Sequence, residues 1–148
     1  MARNKIKNIA IFTNEENFLN LRWLDVSSNK YTELVPFKLP KLDYLDISYN
    51  RIEKINENWT GHPNVKILKT IDNKFKSLAP FKDMPMLTEL FLAQNMVSSI
   101  SGFEAMPTLK KLNLRKNKIE KLEEELPSLE SLTYLNLRGN RLTSLAQL

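Results

Sequence analysis

Residues 42–55 read LDYLDISYNRIEKI, with apolar residues at the first, fourth, sixth, eleventh and fourteenth places and an asparagine at the ninth. Around Leu45 and Ile47 apolar and polar residues alternate, the period of an extended strand whose successive side chains face opposite sides. The spacing then changes, so the strand ends before Asn50. An asparagine there offers a carbonyl oxygen and an amide nitrogen, which satisfy backbone groups that a sharp turn leaves without partners. The segment reads as a strand, a turn, and a return run carrying the apolar Ile52 and Ile55.

The spacing recurs in LRWLDVSSNKYTEL from Leu21, VKILKTIDNKFKSL from Val65, LTELFLAQNMVSSI from Leu87, LKKLNLRKNKIEKL from Leu109 and LTYLNLRGNRLTSL from Leu132. The asparagines fall at 29, 50, 73, 95, 117 and 140, in steps of 21, 23, 22, 22 and 23 residues. Of 30 apolar places 29 are filled, with Thr70 the exception, whereas a composition 42% hydrophobic fills about 13 by chance. A period of this length means stacked coils, each burying its apolar side against its neighbours.

This is the leucine-rich repeat pattern. It predicts an α/β leucine-rich repeat solenoid: a curved parallel β-sheet on the concave side, and short turns or single-turn 3-10 pieces on the convex side. The links repeat as well, as LAPFKDMP from Leu78 and ISGFEAMP from Ile100, and prolines 63, 85, 107 and 127 forbid long helices there. Phe81, Phe103 and Met106 in these links are expected in the core. The whole of residues 1–148 forms one domain, with six repeats over 21–148. Residues 1–20, in which Ile6, Ile9, Ile11 and Asn14 match the first half of the unit, are expected to form a shortened capping repeat.

Composition narrows the chemistry. The absence of cysteine excludes disulfides, thiolate metal sites and a cysteine nucleophile. The apolar run Ile9–Phe12 is too short for a signal-peptide core or a membrane span. His62 is the single histidine and stands in a link beside Pro63, where a turn role is expected over that of a catalytic base. Glycines 61, 102 and 139 are scattered and build no phosphate-cradling loop. Glu123, Glu124 and Glu125 lack the spacing of a calcium loop. No enzymatic activity, cofactor or metal is expected. The net charge of +5 is shared by both halves of the chain and favours acidic partners weakly.

The outward strand positions remain. Before the second leucine stand Trp23, Tyr44, Ile67, Glu89, Lys111 and Tyr134; between the two core residues stand Asp25, Asp46, Lys69, Phe91, Asn113 and Asn136; next come Ser27, Ser48, Ile71, Ala93, Arg115 and Arg138. The expected protein-binding face comprises Trp23, Asp25, Tyr44, Asp46, Ile67, Ile71, Phe91, Lys111, Arg115, Tyr134 and Arg138, because large aromatics and arginines anchor protein interfaces. Charge grades from acidic at the first strands to basic at the last. Leu135, Leu137, Leu142, Leu145 and Leu148 are expected to form an open C-terminal edge, without a cap, covered by another subunit; the alternative is a truncated product or an incomplete gene model.

LFLAQNM at 90–96, YLNLRGN at 134–140 and LRWLDVSSN at 21–29 resemble the leucine-rich repeat protein of ciliary radial spokes, associated with the third spoke head. The resemblance spans residues 9–148. It implies a structural, non-enzymatic scaffold subunit of the axoneme in the cytoskeleton of a cilium or flagellum, with other protein subunits as partners and neither membrane nor small-molecule substrate. That group carries an acidic leader and a further capping repeat with a charged tail, which this sequence lacks. The alternative is a nuclear or cytosolic adaptor, such as a protein phosphatase 1 regulatory subunit or a spliceosomal leucine-rich repeat subunit. Nucleic-acid binding would rest on the basic cluster from Lys110 to Lys121 alone.

Overall fold

The computed structural model describes residues 4–7, 18–101, 106–122 and 131–143. Six short strands, one per repeat, form a single parallel sheet: β1 (Trp23–Asp25), β3 (Tyr44–Asp46), β5 (Ile67–Lys69), β6 (Glu89–Phe91), β7 (Lys111–Asn113) and β8 (Tyr134–Asn136). The register keeps every repeat in step. Leu24, Leu45, Leu68, Leu90, Leu112 and Leu135 are successive partners across the sheet. All but Leu135 of that row are buried.

Opposite the sheet the described residues are nearly free of helix. In the first two coils β2 (Glu33–Leu34) and β4 (Lys54–Ile55) pair in parallel, and Ala79–Phe81 forms one 3-10 turn with a proline in its first turn. No α-helix occurs among the described residues, because the links are too short and too rich in proline to complete one. Phe81 and Met106 are in the core as expected, and Phe103 lies outside the described residues. Phe75 meets Phe81 edge-on at 5.1 Å between ring centres.

The asparagines form the expected ladder, and its bonds run between coils as well as within them. Asn95 Nδ2 donates to the carbonyls of Leu92 and Ala93 in its own coil and to Thr70 in the preceding one, while its Oδ1 accepts from the Phe75 amide. Asn50, Asn73, Asn117 and Asn140 repeat this arrangement, taking the amides of Tyr31, Ile52, Val97 and Ile119. Each turn is thereby stapled to the coil before it. The residue ahead of each asparagine, namely Ser28, Tyr49, Asp72, Gln94, Lys116 or Gly139, has φ between 54° and 74°. That left-handed conformation is natural for Gly139 and costs the other five about 1–2 kcal/mol each.

The N-terminal reading needs correction. Ile6 donates its amide to Asn29 Oδ1 and accepts from the Lys30 amide, the same pair of bonds that Tyr31 makes with Asn50 Oδ1 and the Arg51 amide. Ile6 thus stands two places after the turn, in the second half of a coil and not the first. Asn4 precedes Ile6 by two residues, as Asn29 precedes Tyr31. Apolar spacing misplaced the segment because isoleucines occur in both halves of the unit, and only the cross-coil bonds distinguish them. Ile9, Ile11 and Asn14 lie outside the described residues.

Candidate functional site

The outward sheet face is built in three rows, and one of them has structural work. Asp25 Oδ1 accepts the Ser27 amide, Asp46 Oδ1 the Ser48 amide, Asn113 Oδ1 the Arg115 amide and Asn136 Oδ1 the Arg138 amide, at 2.9, 2.9, 3.1 and 3.0 Å. A short Asp or Asn side chain at the strand end caps the amide two residues on. In the two central coils Lys69 and Phe91 occupy this place and cannot accept. Ser48 compensates for Lys69: its hydroxyl accepts the Ile71 amide from across the strand gap at 3.0 Å, and its side chain is buried as a result.

The residues released from capping join the aromatic side chains beside them. Trp23 and Tyr44 stack with ring centres 3.5 Å apart and planes 9° from parallel. Lys69 Nζ lies 5.3 Å from the centre of the Tyr44 ring and 5.8 Å from that of Phe91, a cation between two rings. The run Trp23–Tyr44–Lys69–Phe91 crosses four adjacent strands diagonally. Contact with Tyr44 is the leading cause that raises the Lys69 ammonium above its usual pKa; burial opposes this, and Asp46 and Asp25 add to it. Burial pushes the Asp25 carboxyl up, but the Ser27 hydroxyl and amide, with Lys69, outweigh it and hold the group below the carboxylate norm. Tyr44 is pushed up, mainly by burial.

The expected face residues therefore divide. Trp23 is 62% and Tyr134 44% exposed. Tyr44, expected to be open, is buried beneath Trp23 and Lys69, so it supports the surface without presenting one. Asp25, Asp46, Ile67, Ile71 and Phe91 are half-buried, and Lys111, Arg115 and Arg138 are exposed. Lys111 pairs with Glu89 at 2.8 Å. No carboxylate among the described residues pairs with Arg115, Lys116 or Arg138. Trp23 and Tyr134 stand at opposite ends of the sheet, five strand spacings or about 24 Å apart.

Sequence reasoning passed over Lys69 and Tyr49. Lys69 sits in a different row from Tyr44, and only laying the rows side by side puts it between two rings. Tyr49 is 52% exposed in the left-handed row, where glycine would be more comfortable. At the last described coil Leu135, Leu137 and Leu142 are half-buried, while Leu112, Leu114 and Ile119 at the same places one coil earlier are buried. Leu145, Leu148 and Glu123, Glu124 and Glu125 lie outside the described residues.

Hollows flank the coils, and two of them lie near the first strands. One, about 610 Å³, runs beside the strand starts, where Asp43 pairs with both Arg22 and Lys66. The other, about 370 Å³ and mainly apolar, has His62 in its wall. His62 is buried against Phe37 at 5.3 Å between ring centres, Nδ1 has no hydrogen-bond partner among the described residues, and burial pushes its pKa down to about 4. The expectation of a plain turn residue missed that burial. No group of three or more metal-ligating side chains occurs among the described residues. No helix among them is long and apolar enough to cross a membrane.

Comparison with known proteins agrees with this architecture. Residues 99–142 match a family model described as leucine rich repeat. A leucine-rich repeat-containing protein 23 from Bos taurus is 30% identical over 177 residues, covering 89% of this chain and 51% of that protein. The chain thus spans about half the length of this curated relative. Among solved structures, an internalin from Listeria monocytogenes superposes with a TM-score of 0.75 at 24% identity, over 94% of this chain and 40% of that one. The leucine-rich repeat domain of APL1B gives 0.76 at 23%, over 93% and 38%. TLR13, in a structure titled as its complex with ssRNA13, gives 0.68 at 26%, over 94% and 24%. The fold is that of a leucine-rich repeat solenoid.

Proposed function

We propose that this leucine-rich repeat solenoid is a non-catalytic scaffold subunit that holds another protein against its concave sheet, within the radial spokes of a ciliary or flagellar axoneme. The observation that carries the protein-binding reading is the exchange of capping for contact at the sheet centre. Lys69 and Phe91 give up the backbone cap that Asp25, Asp46, Asn113 and Asn136 keep, and in return complete an aromatic and cationic run ending in the exposed Trp23. The solenoid itself does not require that run. Tryptophan, tyrosine and arginine on a rigid sheet are the side chains from which protein interfaces draw most of their energy. The axonemal placement is supported by the resemblance of residues 90–96 and 134–140 to the radial-spoke protein.

Affinity purification of the tagged chain from ciliated cells, with and without Trp23→Ala and Phe91→Ala, tests the first part. Loss of the recovered partners with both substitutions is expected, and full recovery would refute the concave-face reading. Proximity labelling tests the second part. Axonemal neighbours are expected; a set of nuclear or phosphatase neighbours would favour the adaptor alternative instead.

A further inference from the structure

The concave-face reading leaves the chemistry of the occupant open, and the distribution of charge over the six strands supplies it. At the β1–β3 end the carboxylates of Asp25 and Asp46 flank the stacked rings of Trp23 and Tyr44, and Asp25 is held ionised. One side of Trp23 lies on Tyr44, and the residue is still 62% exposed. The Tyr44 ring already takes an ammonium group, that of Lys69, from the β5 side. At the β7–β8 end Arg115, Lys116 and Arg138 are exposed, and no described carboxylate neutralises them. About 24 Å separates the two ends, the length of about 16 helical residues.

We infer that the occupant is one dipolar helix lying across the strands, with basic side chains over Trp23, Asp25 and Asp46 and acidic side chains over Arg115, Lys116 and Arg138. The inference rests on the concave-face reading and adds a polarity to it. A guanidinium or ammonium on the open side of Trp23, beside Asp25, repeats at the surface what Lys69 does on Tyr44 within it. Carboxylates at the far end meet cations that no described carboxylate pairs. A helix of uniform charge gains at one end and is repelled at the other, so the face selects against it. Acidic residues in the first turn and basic residues in the last also suit an isolated helix, whose dipole favours that order. The occupant therefore runs with its N-terminus over β7–β8 and its C-terminus over β1–β3.

Three synthetic helices of about 16 residues sharing one leucine stripe test this by fluorescence anisotropy against the whole chain. The first carries glutamates in its first turn and lysines in its last, the second lysines at both ends, the third glutamates at both. The dipolar helix is expected to bind about tenfold tighter than either uniform one at low salt, and to lose most of that advantage as salt is raised. In the Arg115→Glu/Arg138→Glu chain the preference moves to the all-lysine helix, and Trp23→Ala weakens every lysine-bearing helix. Both exposed changes leave the far-ultraviolet circular dichroism unaltered. Equal binding of the three helices, no binding of the dipolar one, or an unchanged ranking after charge reversal overturns the inference. So does tighter binding of a single-stranded polyuridylate of similar length. If Phe91→Ala abolishes binding while charge reversal leaves the ranking alone, the face stands and its polarity falls; if neither change has an effect, both readings fall.

Discussion

The interior turn row and the outward strand row of the same coils behave differently. In the turn row the asparagines from Asn50 to Asn140 take the same amide from the coil before, two places past its own rung, with hydrogen bonds of 2.9–3.1 Å. In the strand row four coils carry a capping Asp or Asn, and the central two carry Lys69 and Phe91. A departure inside the coil leaves buried polar groups without partners, at about 1–3 kcal/mol each. A departure outside leaves an amide that water or a neighbouring hydroxyl satisfies. The interior is therefore held to one solution, and the exterior is where this chain differs from any other stack of the same coils.

That contrast breaks most visibly at a rung. Asn95→Ala removes one acceptor and the donors to three carbonyls, and is expected to cost about 3–5 kcal/mol in chemical denaturation. A loss under about 1 kcal/mol would mean that water replaces the side chain. His62 is the next test, because it places a titratable group in the interior. Its pKa is about 4 in the folded chain and about 6.5 unfolded, so above pH 6.5 it is neutral in both states. As pH falls from about 6.5 to about 4 the unfolded chain binds a proton that the folded chain refuses, and stability declines by about 2–3 kcal/mol. Unfolding curves of His62→Leu over the same window should lose that component.

Smaller effects sharpen the contrast. Thr70, the single polar residue in the apolar slots, is fully buried, and its hydroxyl has no hydrogen-bond partner among the described residues. Thr70→Val should raise stability by about 1–2 kcal/mol, since it removes an unsatisfied hydroxyl at nearly constant volume; a lower melting temperature would show that the hydroxyl is satisfied by a trapped water. Gln94→Gly relieves the left-handed strain but loosens the unfolded chain, leaving a gain of about 0.5–1 kcal/mol. Phe91→Ala, on the half-buried outward face, should cost about 1 kcal/mol or less, well below the 3–5 kcal/mol expected for a truncation in a sealed core.

The parts of the molecule that repeat were readable from the sequence, and the parts that depend on a unique neighbour were not. The register that aligns Leu45, Leu90 and Leu112 follows from counting, because each coil has the same constraint. The rung bonds follow from the amide chemistry of asparagine at a turn. Tyr44 was read as open because its position faces outward, and its burial depends on an indole and an ammonium arriving from two other coils. Lys69 was passed over for the same reason. His62 stands before Pro63 at the place that Met84 and Met106 hold before Pro85 and Pro107, so the repeat does signal its burial, and the polar imidazole hid that signal. Five of the six left-handed residues are not glycine, so only Gly139 hinted at that row. Ile6 was misplaced because spacing alone cannot tell the two halves of a coil apart.

The uniform cross-coil staple has one further consequence. Because Asn95 treats Phe75 as Asn117 treats Val97, the cut ends left by excising the residues between equivalent points of two coils would meet the same set of donors and acceptors. Length is then a free variable for such a stack, since whole turns can be duplicated or dropped without redesigning any interior bond. What cannot be edited so cheaply is the diagonal of rings and charge on the outside, whose members come from different coils and lose one another when any turn between them is spliced away.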